Sequence, residues 1–207
     1  MTERQEAILV KAGIAVPILY FGNLLLTPLF YPGYSHVTQY ASELGGPDAP
    51  HPAIFNTVVA LLGVAGIAAG FGYFFALRRL TGKTLLAALV GVLVGLFGVS
   101  MVLGGLFPMP DPRHGGFGLG MGIHLGPALV ALALRNRERL RGLKIYLWVT
   151  TVLMIALFAV MMGVGGLVTR ANVGLFQRTY ALVLFPWVGI ASYFLGRELS
   201  LNKRELG

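Results

Sequence analysis

The sequence predicts an all-α integral membrane protein: a compact bundle of about six transmembrane helices, with a short interfacial or re-entrant helix in its first non-cytoplasmic loop. Three observations predict it. Of 207 residues, 56% are hydrophobic and 12% charged, with a mean hydropathy of +0.76, whereas a soluble domain has charges at roughly a quarter of its positions. Six apolar runs each come close to the ~20 residues that cross a bilayer's hydrocarbon core. Lysine and arginine collect in alternate connections, as they do in cytoplasmic loops.

The apolar runs lie at about 8–30, 53–77, 84–107, 117–134, 145–167 and 179–196. The first follows Glu3, Arg4 and Glu6 and has no small-residue cleavage site, so it reads as a retained helix. The second and third carry Gly66-x-x-x-Gly70 and Gly91-x-x-x-Gly95, a spacing that lets helix backbones approach closely in lipid. The fourth is rich in glycine and holds His124. No internal repeat or soluble domain interrupts the chain, which reads as one transmembrane domain over 1–207.

Orientation follows from the basic residues. Thirteen of the 16 fall at the N-terminus (Arg4, Lys11), in 78–83 (Arg78, Arg79, Lys83), in 135–144 (Arg135, Arg137, Arg139, Arg141, Lys144) and at the C-terminus (Arg197, Lys203, Arg204). Arg113, Arg170 and Arg178 stand on the other side. Both termini are therefore expected in the cytoplasm of a multi-pass cell-membrane protein, which also accounts for the net charge of +8. A nucleic-acid surface is not indicated, because no basic stripe with interleaved aromatics occurs. Cysteine is absent, which excludes disulfides, thiolate metal sites and cysteine nucleophiles.

The remaining polar groups are sided as well. His36, His51, His114 and His124, with Glu43, Asp48 and Asp111, fall on or near the non-cytoplasmic face. Glu3, Glu6, Glu138, Glu198 and Glu205 sit among basic residues on the other. In the first loop, Pro32-Gly33 stops the first helix, Ser35 can cap a new one and Gly45-Gly46-Pro47 ends it, which predicts a short helix over 35–44. On it His36, Gln39 and Glu43 share one face, with Ser35 and Ser42 at the margin. The second loop offers Asp111 and His114 as a metal pair or an acid/base pair. His124, inside an apolar run, is either a functional group facing the bundle interior or a packed structural histidine. Arg178 can pair with Glu43 or Asp111, grip a lipid phosphate, or snorkel to the interface. Asn56 can bind a ligand, cap a helix or stitch two helices together.

Taken in order, Ser35-His36, Ser42-Glu43-Leu44-Gly45, Asn56, Phe107-Pro108 with Asp111, His124, and Gly174-Leu175 with Gln177-Arg178 resemble the prokaryotic membrane family catalogued as domain of unknown function 998. The resemblance spans most of the chain. It implies a multi-helical fold and supports the same site residues, but brings no established activity. A fainter likeness is to the seven-helix family of alkaline ceramidases and related receptors, whose membrane zinc site uses His, Asp and Ser. Here six helices are predicted, and the last lacks the paired histidines that complete that zinc site.

Several functions stay open. The first is a membrane-embedded hydrolase acting on a lipid or lipid-linked substrate. In its metal version His36, Asp111, His114 and His124 hold a divalent ion such as zinc. In its metal-free version His124 or His36 is the base, Glu43 or Asp111 orients it, and Ser35 or Ser42 is the nucleophile, with Gln39, Asn56 and Arg178 on the substrate. The second is a binder or transporter of a small amphipathic ligand. Haem or quinone chemistry through paired histidines is a third.

Overall fold

Proline and glycine punctuate the chain into its elements. The protein is described by a computed structural model covering residues 3–206, and side chains are described for residues 4–202. The side chains of Glu3, Lys203, Arg204 and Glu205, counted above, lie outside the described residues. Helix α1 spans Glu3–Leu26 and tightens into a 3₁₀ turn at Thr27–Phe30; α2 spans Pro52–Thr81 and α3 Thr84–Leu106. The fourth span joins a 3₁₀ run, Gly116–Leu125, to the short helix α4, Gly126–Ala133. Helices α5 (Arg141–Met161), α6 (Val173–Leu184) and α7 (Pro186–Leu206) follow, and no strand occurs among the described residues. Six segments, Arg4–Phe30, Pro52–Thr81, Thr84–Leu106, Gly116–Ala133, Glu138–Met161 and Val173–Asn202, are long and apolar enough to cross a membrane. The chain is a multi-pass membrane protein.

The predicted spans differ from these in instructive places. Span six is longer and divided, because Pro186 has no N–H to continue the ladder of α6 and begins α7 instead. Span five stops at Met161 because Gly163, Gly165 and Gly166 all take left-handed backbone, at φ of 97°, 80° and 62°. Glycine likewise explains the fourth span, where left-handed Phe117 and Gly118 open the 3₁₀ run. The backbone there lies so near α3 that a Cβ on Gly116 would come within 2.6 Å of Ser100 Oγ.

Close glycine contact holds α2 to α3, the most extensive pairing in the bundle. A Cβ on Gly70 would lie 2.7 Å from the Gly91 carbonyl oxygen and 2.8 Å from Gly95 Cα, and one on Gly66 would lie 3.0 Å from Gly98 Cα. Helix α1 packs against α2 and α7, its Pro17 ring seated over Gly189. Two buried polar side chains add to this. Asn23 Nδ2 donates to the Phe55 carbonyl at 3.1 Å and its Oδ1 accepts from Thr27 at 2.6 Å. The centre of the bundle is built from buried residues such as Tyr73, Leu77, Val94, Leu147, Trp187 and Leu195.

The basic end of the bundle uses its cations structurally. Arg79 forms a two-pronged ion pair with Glu6, at 2.7 and 3.0 Å. Lys83 Nζ donates to the Leu132 and Ala133 carbonyls at the end of α4 (3.2 and 2.8 Å), Arg137 donates to the Leu80 carbonyl, and Lys144 to that of Arg135 (2.9 Å). Cations at helix C-termini satisfy carbonyls that lack intrahelical partners.

Candidate functional site

At the opposite end, the first loop is docked onto the start of α6. The short helix of the first loop does not run continuously over 35–44. A single turn closed by Gln39 N–H on the Ser35 carbonyl (3.1 Å) is followed by extended Tyr40 and a 3₁₀ helix, Ala41–Gly45. Side chains hold this shape locally. Ser35 Oγ accepts from Val37 and Thr38 N–H at 3.3 Å each, and Gln39 Oε1 accepts from Ser35 N–H at 2.8 Å. Glu43 Oε1 accepts from Tyr40 N–H at 2.7 Å. Short polar side chains that capture nearby N–H groups compete with a continuous helix.

Arg178, one turn into α6, ties the loop down. Its Nε donates to His36 Nδ1 at 3.0 Å, Nη1 to the Gln39 and Gly174 carbonyls at 2.9 and 2.8 Å, and Nη2 to the Tyr34 hydroxyl. Two further bonds cross the same seam: Leu175 N–H to the Val37 carbonyl (3.0 Å) and Ala41 N–H to Gln177 Oε1 (2.7 Å). Because Nδ1 accepts, His36 is neutral here; partial burial, and then the Arg178 charge, lower its pKa below the ordinary value. Arg178 thus pairs with neither Glu43 nor Asp111. Asn56 stitches from α2, donating to the Gly45 carbonyl at 2.9 Å.

The predicted metal group does not assemble. His36 is on Arg178. Asp111 binds Arg113 through side chain and backbone (2.7 to 2.9 Å), bonds that hold its carboxyl at about 2. His114 Nδ1 faces the Phe107 carbonyl at 3.0 Å. His124 is satisfied twice, by the Met121 carbonyl at 2.7 Å and the Tyr180 hydroxyl at 2.5 Å. Among the described residues no group of three or more His, Cys, Asp or Glu side chains is placed to hold a metal ion. Neither carboxylate orients an imidazole either, since Glu43 is taken by Tyr40 N–H and by Gln39 Nε2 (3.1 Å).

What the fold does create is a cavity of about 190 Å³ below the docked loop. Its roof is Ala41 and Ser42, with His114 from the second loop. Its walls come from helix faces at regular spacing: Phe55, Val59 and Leu62 of α2, and Gln177, Tyr180, Ala181 and Leu184 of α6. Ser42 and His114 are the predicted site residues that line it, and Gln177, which bonds the loop, lines it too. Ser35, His36, Gln39, Glu43 and Asn56 build and dock the roof, Asp111 lies outside, and His124 meets the cavity only through Tyr180.

The polar groups of the lining have open positions. The Phe107 carbonyl can only accept, so His114 Nδ1 carries the proton, and in the neutral ring Nε2 is an acceptor. That nitrogen, the Ser42 hydroxyl and the Gln177 amide N–H groups have no hydrogen-bond partner among the described residues. Tyr180 was not foreseen as a site residue. Its signal was available: a tyrosine in an apolar run needs a partner for its hydroxyl, and it stands three residues after Gln177 on one helix face.

A family model described as "Protein of unknown function (DUF998)" matches residues 14–193. No curated protein and no solved structure matches the chain, so the fainter likeness to alkaline ceramidases finds no support there.

Proposed function

The chain belongs to this family of proteins of unknown function, and from the geometry of its cavity we propose that it binds a small lipid-like molecule at the non-cytoplasmic side of the cell membrane. The observation that carries this is a mainly apolar cavity into whose lining Ser42, His114 and Gln177 bring polar groups with unspent hydrogen-bonding capacity. Ligand sites have this composition: apolar walls with a few polar groups that fix orientation. The orientation, with both termini in the cytoplasm, rests on the charge asymmetry. Because the chain has no cysteine, Thr38→Cys and Asn136→Cys each give a unique thiol. An impermeant maleimide applied to intact cells should label the first and spare the second, and the reverse pattern overturns the orientation.

Ligand binding is tested by native mass spectrometry of the purified protein beside an Ala181→Phe variant, which fills the cavity. Wild type should retain a lipid-like adduct that the variant loses; identical adducts in both would remove the proposal.

One observation favours a hydrolase as a second reading. Ser42 and His114, each with an unpartnered polar atom, share the cavity, so the metal-free scheme would run with Ser42 as nucleophile and His114, in place of His36 or His124, as base. A fluorophosphonate probe should then label Ser42 in membranes, and its failure to do so dismisses the scheme. The metal-assisted version is not carried forward, because its four ligands are held by separate partners.

A further inference from the structure

We infer that the molecule held in this cavity is uncharged at its polar end and carries a hydroxyl beside an ester or amide carbonyl. The inference rests on the binding proposal above and narrows it to a chemical class.

The argument begins with charge. No Asp, Glu, Lys or Arg lines the cavity. In the loops and helix around it, Arg178 donates to four neutral acceptors through Nε, Nη1 and Nη2, Asp111 and Arg113 pair with each other, and Glu43 accepts from Tyr40 N–H and Gln39. An ammonium brought under the loop would find no carboxylate in the lining. A phosphate would find no cation there to bond directly, since the Arg178 guanidinium donates to Tyr34, His36, Gln39 and Gly174 and its charge reaches the lining only at a distance, at Tyr20. Burying an unpaired charge is far more costly than burying a hydrogen-bonded neutral group.

Donors and acceptors then set the headgroup. Gln177 Oε1 is fixed by Ala41 N–H, which leaves its amide nitrogen with two hydrogens to donate. A carbonyl oxygen is their natural partner. His114 Nε2 can accept, and the proton it calls for is that of a hydroxyl. The Ser42 hydroxyl can serve either role, and Tyr180, whose proton goes to His124, keeps lone pairs for a second donor. Size agrees with this. About 190 Å³ is smaller than the roughly 300–1,000 Å³ of pockets that enclose drug-sized ligands, room for a glycerol-sized head and not for whole acyl chains.

The test compares two probes that differ only by a phosphate: dioctanoylglycerol and dioctanoyl phosphatidic acid, titrated against the full chain in nanodiscs and read by native mass spectrometry. Dioctanoylglycerol should bind at least tenfold more tightly. Ser42→Ala, which breaks no bond in the fold, and His114→Phe should each weaken that probe about fivefold. Equal binding, or preference for the phosphate, overturns the inference and leaves the cavity proposal standing. If neither probe binds and Ala181→Phe keeps the wild-type adducts, both fail together.

Discussion

Arg178 places its Nε proton on Nδ1 of His36 at 3.0 Å, joining side chains 142 residues apart in sequence. The bond requires a neutral imidazole, because a protonated ring has no lone pair to accept with. His36 is exposed, so protons reach it freely; Tyr34 and Arg178 are the titratable and charged groups against it.

The first prediction is a loop that loosens in acid. Burial and Arg178 lower the folded pKa of His36, so the unfolded or undocked state binds more protons. The contact's stabilisation is full above the ordinary histidine value of about 6.5 and fades as pH falls through the lower folded value. Protection factors in 34–43, which divide out the intrinsic pH dependence of amide exchange, should therefore fall below about pH 6.5 in wild type and stay flat in His36→Gln, which keeps an acceptor but does not titrate. A pH-independent wild type would refute it.

Arg178→Ala should lower stability by about 3 kcal/mol, since hydrogen bonds to a charged donor contribute about 1.5–3 kcal/mol each and several are lost together. Arg178→Lys should recover only part, for an ammonium cannot reproduce the guanidinium fork that spans Tyr34, His36, Gln39 and Gly174. Thermal unfolding in detergent compares the three proteins. A lysine variant as stable as wild type would show that charge, not geometry, docks the loop.

Gly174→Ala offers a contrary-direction test. In an ordinary helix this change gains about 0.5–1 kcal/mol. Here the new Cβ would press on the Gln39 carbonyl and lie 2.6 Å from that of His36, so the variant should be less stable, with faster exchange in 34–43. A stabilised variant would mean that the loop yields at no cost.

The two glycines of Gly91-x-x-x-Gly95 should behave differently. A Cβ on Gly91 would meet the Gly70 carbonyl and Phe74 Cβ at 2.9 Å, whereas one on Gly95 meets nothing within 4 Å. Gly91→Val is expected to cost about 1–3 kcal/mol through overpacking, and Gly95→Ala to be neutral or mildly stabilising. Unfolding midpoints of the two variants decide it; equal losses would point to the spacing itself rather than to the contacts of each residue.

Much of the fold could be read from the chain because lipid imposes a length and a composition on every span. Six runs and their order followed, and the glycine spacings marked the second and third helices as closely packed without naming their partners. The breaks within spans four and six did not, although Pro186 and the glycines of 115–126 stood in plain view: apolar composition says that a segment crosses, not that its backbone is continuous. At the site, sequence put Ser42 and His114 at the same end of the bundle, where they line one cavity, yet it treated His36, Asp111, His114 and His124 as one group. Their separation depends on partners that spacing cannot reveal, a backbone carbonyl for His114, a neighbouring arginine for Asp111 and a tyrosine 56 residues away for His124. Helical periodicity over 35–44 failed for a related reason, since Ser35, Gln39 and Glu43 spend their polar atoms on local backbone.

The glycine-faced pairing of α2 with α3 also bears on how the protein is made. The two helices are consecutive, joined through Gly82 and Lys83, so their contacts are local in the chain and can close while the ribosome is still adding later spans. Gln177 and Tyr180 are synthesised long afterwards. The cavity's second wall therefore reaches a hairpin already in place, and a truncated chain that stops before α6 would keep this paired seam while lacking every α6 group that lines the cavity.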